Sequence, residues 1–272
     1  MRSVSQTDDR PDAVTLRSSS RLLYATAFLV FVGAAGATLY FNYSMSGGMP
    51  MPGNWTMSMM WMAMGGELRA AAMFILMWLA MMIAMMLPSS MPMLALYRRV
   101  AAFRGEEHLG QATFALGGGY FLVWTLFGVG AYMIGGIITR GAMHSAALSR
   151  ALPFAGGQAL CVAGIYQLTP WKSACLKHCR DPLTLISHHL RQGRLGAFHV
   201  GIHHGALCAA CCWALMLIQL VLGVMNLTVM AIVAAVIAVE KLLPRGEWLA
   251  RVVGVGAISG GVILAAISVR GL

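Results

Sequence analysis

The sequence predicts an all-α protein: a polytopic bundle of about seven transmembrane helices with a cytoplasmic N-terminus. Of its 272 residues, 59% are hydrophobic and only 10% are charged, and the mean hydropathy is +0.74. A soluble domain carries about 25% charged residues. Lipid cannot satisfy exposed backbone N–H and C=O groups, so the spanning segments are expected to be helices. We therefore expect one transmembrane domain over residues 22–272, preceded by a polar cytoplasmic tail over residues 1–21.

Seven stretches are long or apolar enough to cross a hydrocarbon core of about 30 Å. They lie near residues 22–41, 70–96, 113–138, 152–169, 199–222, 227–243 and 249–269. The fourth and sixth are the weakest of these predictions, because both are short and rich in small residues. Two long connections remain, a loop over residues 42–69 and another over residues 170–198.

The positive residues set the orientation, because cytoplasmic segments of membrane proteins carry an excess of Lys and Arg. With the N-terminus inside, the inner segments hold 15 of the 19 Lys and Arg residues, and the outer segments hold 4. Topology therefore explains the net charge of +10, and no nucleic-acid partner is needed. The loop over 42–69 is then external and the loop over 170–198 internal. Glu240, at the inner boundary of the sixth stretch and followed by Lys241, is expected to form an interfacial ion pair.

Methionine is concentrated in one part of the chain, since 16 of the 22 methionines lie between positions 45 and 93. In the second stretch they occupy two neighbouring helical faces, Met73, Met77, Met81 and Met85 on one and Met82 and Met86 on the other. A thioether is a soft, uncharged ligand that suits Cu(I). The alternative is a packing seam, because methionine is also an adaptable hydrophobe that fills gaps in cores.

The methionines of the outer loop favour the metal interpretation, because burial is not expected to explain so many of them there. Glycine and proline predict irregular structure in the segment SMSGGMPMPGNWTMSMMWMAMGG. Five of its methionines resemble the clusters that gather Cu(I) outside cells, namely Met57, Met59, Met60, Met62 and Met64.

The fifth stretch, HVGIHHGALCAACCWAL, carries three histidines and three cysteines within 14 residues. His204, Cys208 and Cys211 fall on one helical face with Cys212 beside them, whereas His203 lies on another. Imidazole and thiolate are the usual ligands of copper and zinc. His204 and Cys211 are separated by about 10 Å along the axis, so one metal would use His204 with Cys208, or the three cysteines. The alternative is that the cysteines pack as small apolar residues.

The inner loop repeats this geometry in the segment CLKHC. Cys175, His178 and Cys179 have the same i, i+3, i+4 spacing as the three cysteines of the fifth stretch. If the loop is helical here, its three ligands face one way, and a joint site could draw on both clusters. The alternative is a pair of reduced cytosolic thiols near a solvated histidine. No cysteine lies in an outer loop, so structural disulfides are not expected.

Four segments together resemble a bacterial family described as predicted metal-binding integral membrane proteins of unknown function: WLAMMIAMMLPSSMP, YQLTPWKSACLKHC, HHGALCAACCW and EKLLPRG. The resemblance covers about residues 65–269. It implies a multi-pass protein of the bacterial inner membrane that binds metal, and it supplies no reaction. By position it points to Met81, Met82, Met85, Met86, Cys175, His178, Cys179, His203, His204, Cys208, Cys211 and Cys212.

These patterns favour a membrane protein that handles Cu(I), by transport or by delivery to a periplasmic or membrane copper protein. Copper would pass between the outer methionines and the inner His/Cys cluster along the helical stripe, which includes Met77. Zinc is the second choice of metal, and the lipid bilayer is the other expected partner. No P-loop is present, which excludes an ATP-driven pump within this chain, and the sequence favours a protein that is not an enzyme.

Two alternatives remain open. The first is a membrane oxidoreductase in which the histidines hold haem or the thiols exchange electrons, although haem favours histidines on facing helices. The second is a structural subunit of a larger complex, in which the methionines only pack.

Overall fold

The computed structural model describes residues 13–45, 47–61, 66–181, 193–243 and 246–270. Within these ranges the chain forms eight α-helices: α1 Ala13–Ser44, α2 Glu67–Phe103, α3 Leu109–His144, α4 Ala146–Leu168, α5 Pro170–Arg180, α6 Gly193–Leu222, α7 Leu227–Leu242 and α8 Gly246–Arg270. The predicted all-α bundle is confirmed.

Five described helices are long and apolar enough to cross a membrane, fewer than the seven expected: Arg21–Ser44 of α1, and α2, α3, α6 and α8. The fourth and sixth predicted spans correspond to α4 and α7. The 16 residues of α7 rise only about 24 Å, which is short for a bilayer. Helix α4 contains buried polar residues such as Ser149 and Gln167 and is not among these five.

Contacts between distant residues define the two ends of the bundle. At one end, the Asn42 side chain donates to the Met225 carbonyl. At the other, the Glu106 carboxylate accepts a hydrogen bond of 3.0 Å from the Gly193 N–H. The outer loop belongs to the first end and α5 to the second. We call them the outer end and the inner end, following the predicted orientation.

Glycines let two helix pairs pack backbone to backbone, α3 along α6 and α4 along α8. A methyl group at Gly119 of α3 would clash with the Phe198 carbonyl of α6. One at Gly164 of α4 would lie 2.6 Å from the Gly254 carbonyl of α8. Small residues commonly allow such close approach between helices in membranes.

The outer loop is more regular than expected, which corrects the prediction for residues 48–58. Strand β1, Gly48–Met51, pairs antiparallel with β2, Trp55–Ser58, and a 3-10 turn over Met59–Trp61 follows. The connection is tight because Gly53 and Asn54 both adopt positive φ, at 100° and 60°. Ser149 at the start of α4 fastens the hairpin, donating to the Pro52 carbonyl at 2.7 Å.

Candidate metal centre

Helices α5 and α6 bring four cysteine side chains together near the inner end of the bundle. Three come from α6, where Cys211 and Cys212 have their sulfur atoms 3.3 Å apart and Cys208 lies one turn earlier. The fourth, Cys179 of α5, has its thiol within hydrogen-bonding contact of Cys208 and Cys211. All four are buried and free of disulfides. We call these four residues the thiol cluster.

The local sequence explains why α5 can reach α6. Thr169 caps the helix by accepting from the Lys172 N–H at 3.3 Å, and Pro170 occupies the first turn, where its missing N–H costs nothing. Leu176 and Cys179 then point into the core. The inner segment 170–180 is therefore helical, as the hypothesis of a joint site requires.

Two polar groups from other helices contact the sulfur of Cys208. The Lys241 ammonium on α7 donates to it at 2.7 Å, and the Tyr120 hydroxyl on α3 lies 2.9 Å from it. The Tyr120 ring also stacks on the buried His204 ring, with centroids 5.3 Å apart. Cys208 is thus the most heavily contacted thiol of the cluster.

A buried ion pair lies beside the thiol cluster. Lys172 of α5 and Glu240 of α7 are 2.7 Å apart, and each side chain is only 1% exposed. The Lys172 ammonium also donates to the Cys211 carbonyl at 2.6 Å, and Gln167 of α4 donates to the Glu240 carboxylate at 3.4 Å. Arg180 donates to the Glu240 carbonyl at 2.8 Å. Glu240 was expected to pair at the membrane interface, but it is buried and connects α7 to α4 and α5, and Lys172 extends these contacts to α6.

The buried setting changes the proton affinity of two groups on α5. Burial alone would lower the pKa of Lys172, but attraction to negative charge on the neighbouring Cys212 and Glu240 outweighs burial and raises that pKa overall. The hydrogen bond with Cys208 is the largest cause that raises the pKa of the Cys179 thiol, to about 12. Lys172 therefore stays an ammonium.

The methionines of α2 line the same buried core as the thiols. Five predicted ligands are at most 3% exposed and belong to one cluster with the four cysteines: Met77, Met81, Met82, Met85 and Met86. Met73, one turn nearer the outer end, is 37% exposed. Helix α2 continues through Pro88 to Phe103.

The outer-loop methionines divide between buried and more accessible positions. Met57 is only 1% exposed, so the expectation that burial cannot explain these methionines is wrong at this position. Met59 is partly buried. Met62 and Met64 lie outside the described residues, and so does the side chain of Met60.

Aromatic rings fill the space between the hairpin and the methionines of α2. Trp61 lies 5.3 Å from Phe74, and Phe74 stacks on Trp78 at 6.0 Å, measured between ring centroids. The Trp78 indole N–H donates to the Trp124 carbonyl at 2.9 Å. The outer half of the core is therefore aromatic and closely packed.

Three predicted ligands lie away from the thiol cluster. His178 is exposed, and its Nδ1 lies 2.8 Å from the Ala174 carbonyl of its own helix. Cys175 is partly buried against the core, and His203 is exposed on α6. Sequence reasoning missed Lys172 and the role of Lys241, although both lie in the segments PWKSACLKHC and EKLLPRG that carry the family resemblance.

Within the part of the chain that the structure describes, no three His, Cys, Asp or Glu side chains are arranged to hold a metal ion together. The thiol cluster is thus a set of soft donors in mutual contact, and its candidate ligands remain a prediction.

The bundle has five helices of membrane-spanning length, and thioethers and thiols share its buried core. These soft ligands are typical of a protein that handles a soft metal. Comparison with known families makes this specific. The model of the PpoB2 family, described as copper chaperone, matches residues 75–264, and the chain belongs to that family. The narrower resemblance to metal-binding membrane proteins of unknown function stays a prediction. No curated protein and no solved structure matches the chain.

Proposed function

We propose that this copper-chaperone family member binds Cu(I) at the thiol cluster and delivers it to a partner copper protein. The observation that carries the proposal is the meeting of four buried cysteines from α5 and α6 in one core with the methionines of α2. Soft sulfur ligands select Cu(I) over harder divalent ions. The bacterial inner membrane is the location we propose, on the basis of the five apolar helices and the charge asymmetry of the loops.

The chemistry of Cu(I) suits such a cluster. Cu(I) is satisfied by two soft ligands, so a pair of thiols is sufficient and a three-ligand group is not required. Methionine thioethers such as Met85 and Met86 can adapt their position because the side chain has three rotatable bonds. A singly charged ion held by a thiolate also adds no net charge to the buried core, where an unpaired charge is costly.

The gradient of ligand strength suggests the direction of handover. Met73 is partly exposed near the outer end, and five further methionines of α2 are buried in the core that holds the thiols: Met77, Met81, Met82, Met85 and Met86. Thioethers bind Cu(I) weakly and thiolates bind it tightly, so affinity alone favours movement toward the thiol cluster. A periplasmic or membrane copper protein is the partner we propose, at the outer methionines or at the inner end.

The test is the copper content of the purified protein. The wild type, loaded with Cu(I) under reducing conditions in detergent, should retain copper after desalting. Cys208→Ser and Cys179→Ser should each weaken binding by at least about tenfold, the lower size of effect seen when partners of metal ligands are lost. The matched control is Cys161→Ser, because Cys161 lies on α4 and its thiol donates to the Ile258 carbonyl of α8 at 3.7 Å.

Full copper content in Cys208→Ser and Cys179→Ser would refute the thiol cluster as the site. Preferential retention of Zn²⁺ over Cu(I) in a competition experiment would identify zinc as the metal of this site. A Soret band in the same preparation would favour the haem-binding alternative, which predicts absorbance that copper and sulfur do not give.

A further inference from the structure

Lys241 places a positive charge directly on the thiol cluster. Its ammonium donates to the Cys208 sulfur at 2.7 Å, and the Tyr120 hydroxyl lies 2.9 Å from the same sulfur. Electrostatic interactions also connect Lys241 with Cys212 and Cys179. The cation therefore sits where the thiols converge.

Lys241 is partly buried and, within the described ranges, lacks the usual partner of such a lysine. Among the described residues, Lys241 makes no ion pair with a carboxylate, because the neighbouring Glu240 is engaged by Lys172. A charge shielded from water without a carboxylate needs another stabilising group. The sulfur of Cys208 is the group that Lys241 uses.

We infer that the Lys241 ammonium occupies the place of copper, so that loading and release of the ion exchange one cation for another at Cys208. This inference rests on the proposed function, since it describes how the same site takes up and gives up its cargo. In the exchange, Cys208 is a thiolate throughout: the hydrogen bond from Lys241 to its sulfur breaks, copper leaves the thioether that delivered it, and a copper–sulfur bond forms. One positive charge replaces another, and the ammonium keeps its proton and turns toward the inner end.

The position of Lys241 allows this movement. It is the second-to-last residue of α7, followed only by Leu242 before the helix ends. A lysine side chain is a compact charge on a flexible four-carbon stem, and near a helix end it can extend to the membrane interface. Lys172 lacks this freedom, because it is fixed by Glu240 and by the Cys211 carbonyl. The returning ammonium would compete with copper and so help a chaperone to release its ion.

The three lysines of the chain provide an internally controlled test. Metal-free and Cu(I)-loaded protein are treated briefly with an amine-acetylating reagent, and each lysine is quantified by mass spectrometry. We expect Lys177, which is exposed, to react equally in both samples, and Lys172, which is buried and paired, to react in neither. Lys241 should react several-fold faster after copper loading. Equal labelling of Lys241 in protein shown to contain copper would overturn the exchange and leave the proposed function intact.

A second measurement uses Lys241→Gln, with Lys177→Gln as the matched control. Removal of the competing cation should tighten copper retention against a fixed chelator by about tenfold, a typical size for coupling between two ligands. Lys241→Arg keeps the charge and should stay near the wild type. If Lys241→Gln remains folded by circular dichroism and holds copper equally well or more weakly, the inference is wrong. If the wild type takes up no copper at all, the proposed function fails, and the exchange fails with it.

Discussion

The two ends of the bundle use charge in opposite ways. At the outer end, Arg140 and Glu67 form an ion pair of 3.1 Å whose side chains are 62% and 75% exposed. At the inner end, Lys172 and Glu240 form an ion pair of 2.7 Å that is almost completely buried. Of these two pairs, only the inner one is packed among several helices. The inner pair also lies beside the candidate metal ligands.

Exposure to solvent determines how much each ion pair contributes to stability. Exposed ion pairs contribute little, because water screens them and the side chains lose entropy. In a buried pair, the cost of removing both charges from water cancels much of their mutual attraction. Removal of one partner is nevertheless costly, because it leaves the other charge buried and uncompensated. The inner end should therefore be sensitive to single substitutions at charged positions, and the outer end tolerant of them.

The largest expected effect is the loss of Glu240. Glu240→Gln should destabilise the protein by about 3–5 kcal/mol, because the Lys172 ammonium is left buried without its carboxylate. The matched substitution at the outer end, Glu67→Gln, should cost only about 0–1 kcal/mol. Unfolding in mixed micelles with increasing SDS gives the comparison directly. Equal losses of stability in Glu240→Gln and Glu67→Gln would contradict the difference between the two ends.

Replacement of both partners sharpens the same comparison. The double variant Lys172→Met with Glu240→Leu removes the charges together, and such replacements of buried pairs are often neutral or stabilising. We expect it to recover most of the stability lost in Glu240→Gln. If it also keeps its copper, the pair acts only in folding; reduced copper binding in the stable double variant would mean that the charges also position the thiol cluster.

An intermediate effect is expected at the close contact between α3 and α6, the helices that carry Tyr120 and Cys208. Gly119→Ala should cost about 1–3 kcal/mol, since its methyl group would clash with the Phe198 backbone of α6. Gly118→Ala is the neighbouring control, because nothing lies within 4 Å of its added methyl group. Gly118→Ala should be neutral or slightly stabilising, because alanine is a better helix former than glycine. A thermal unfolding assay on both variants tests the difference, and similar melting temperatures would argue against close packing of α3 on α6.

Much of the fold could be predicted from the sequence, because hydrophobic segments and helical periodicity are local signals. The positions of Met81, Met85, Cys208 and Cys211 on their helices follow directly from such spacing. The ion pair could not be predicted in the same way, since Lys172 and Glu240 are 68 residues apart and their meeting depends on how four helices pack. The contact between Lys241 and Cys208 was missed for the same reason.

The outer loop shows a different limit of sequence reasoning. Glycine and proline suggested irregular structure, yet Gly53 and Asn54 close a hairpin because both tolerate positive φ. The burial of Met57 depends on where that hairpin lies against the helices, which no local pattern encodes. Composition therefore indicated the soft ligands, but it could not separate methionines that pack from methionines that remain accessible.

The smallest effect on stability, and the sharpest test of the methionine stripe, is expected from exchanging sulfur for carbon. Leucine nearly conserves the volume and apolarity of methionine, so Met81→Leu with Met85→Leu should cost less than about 1.5 kcal/mol per site. Met216→Leu is the control, because Met216 is equally buried in the same core but lies on α6 outside the stripe. Copper uptake in cells then separates two roles that stability cannot. If the α2 variant loses uptake while Met216→Leu keeps it, the thioethers conduct copper between the two ends. Full uptake in both would show that the stripe only packs, and copper would then have to reach the thiol cluster from the inner end.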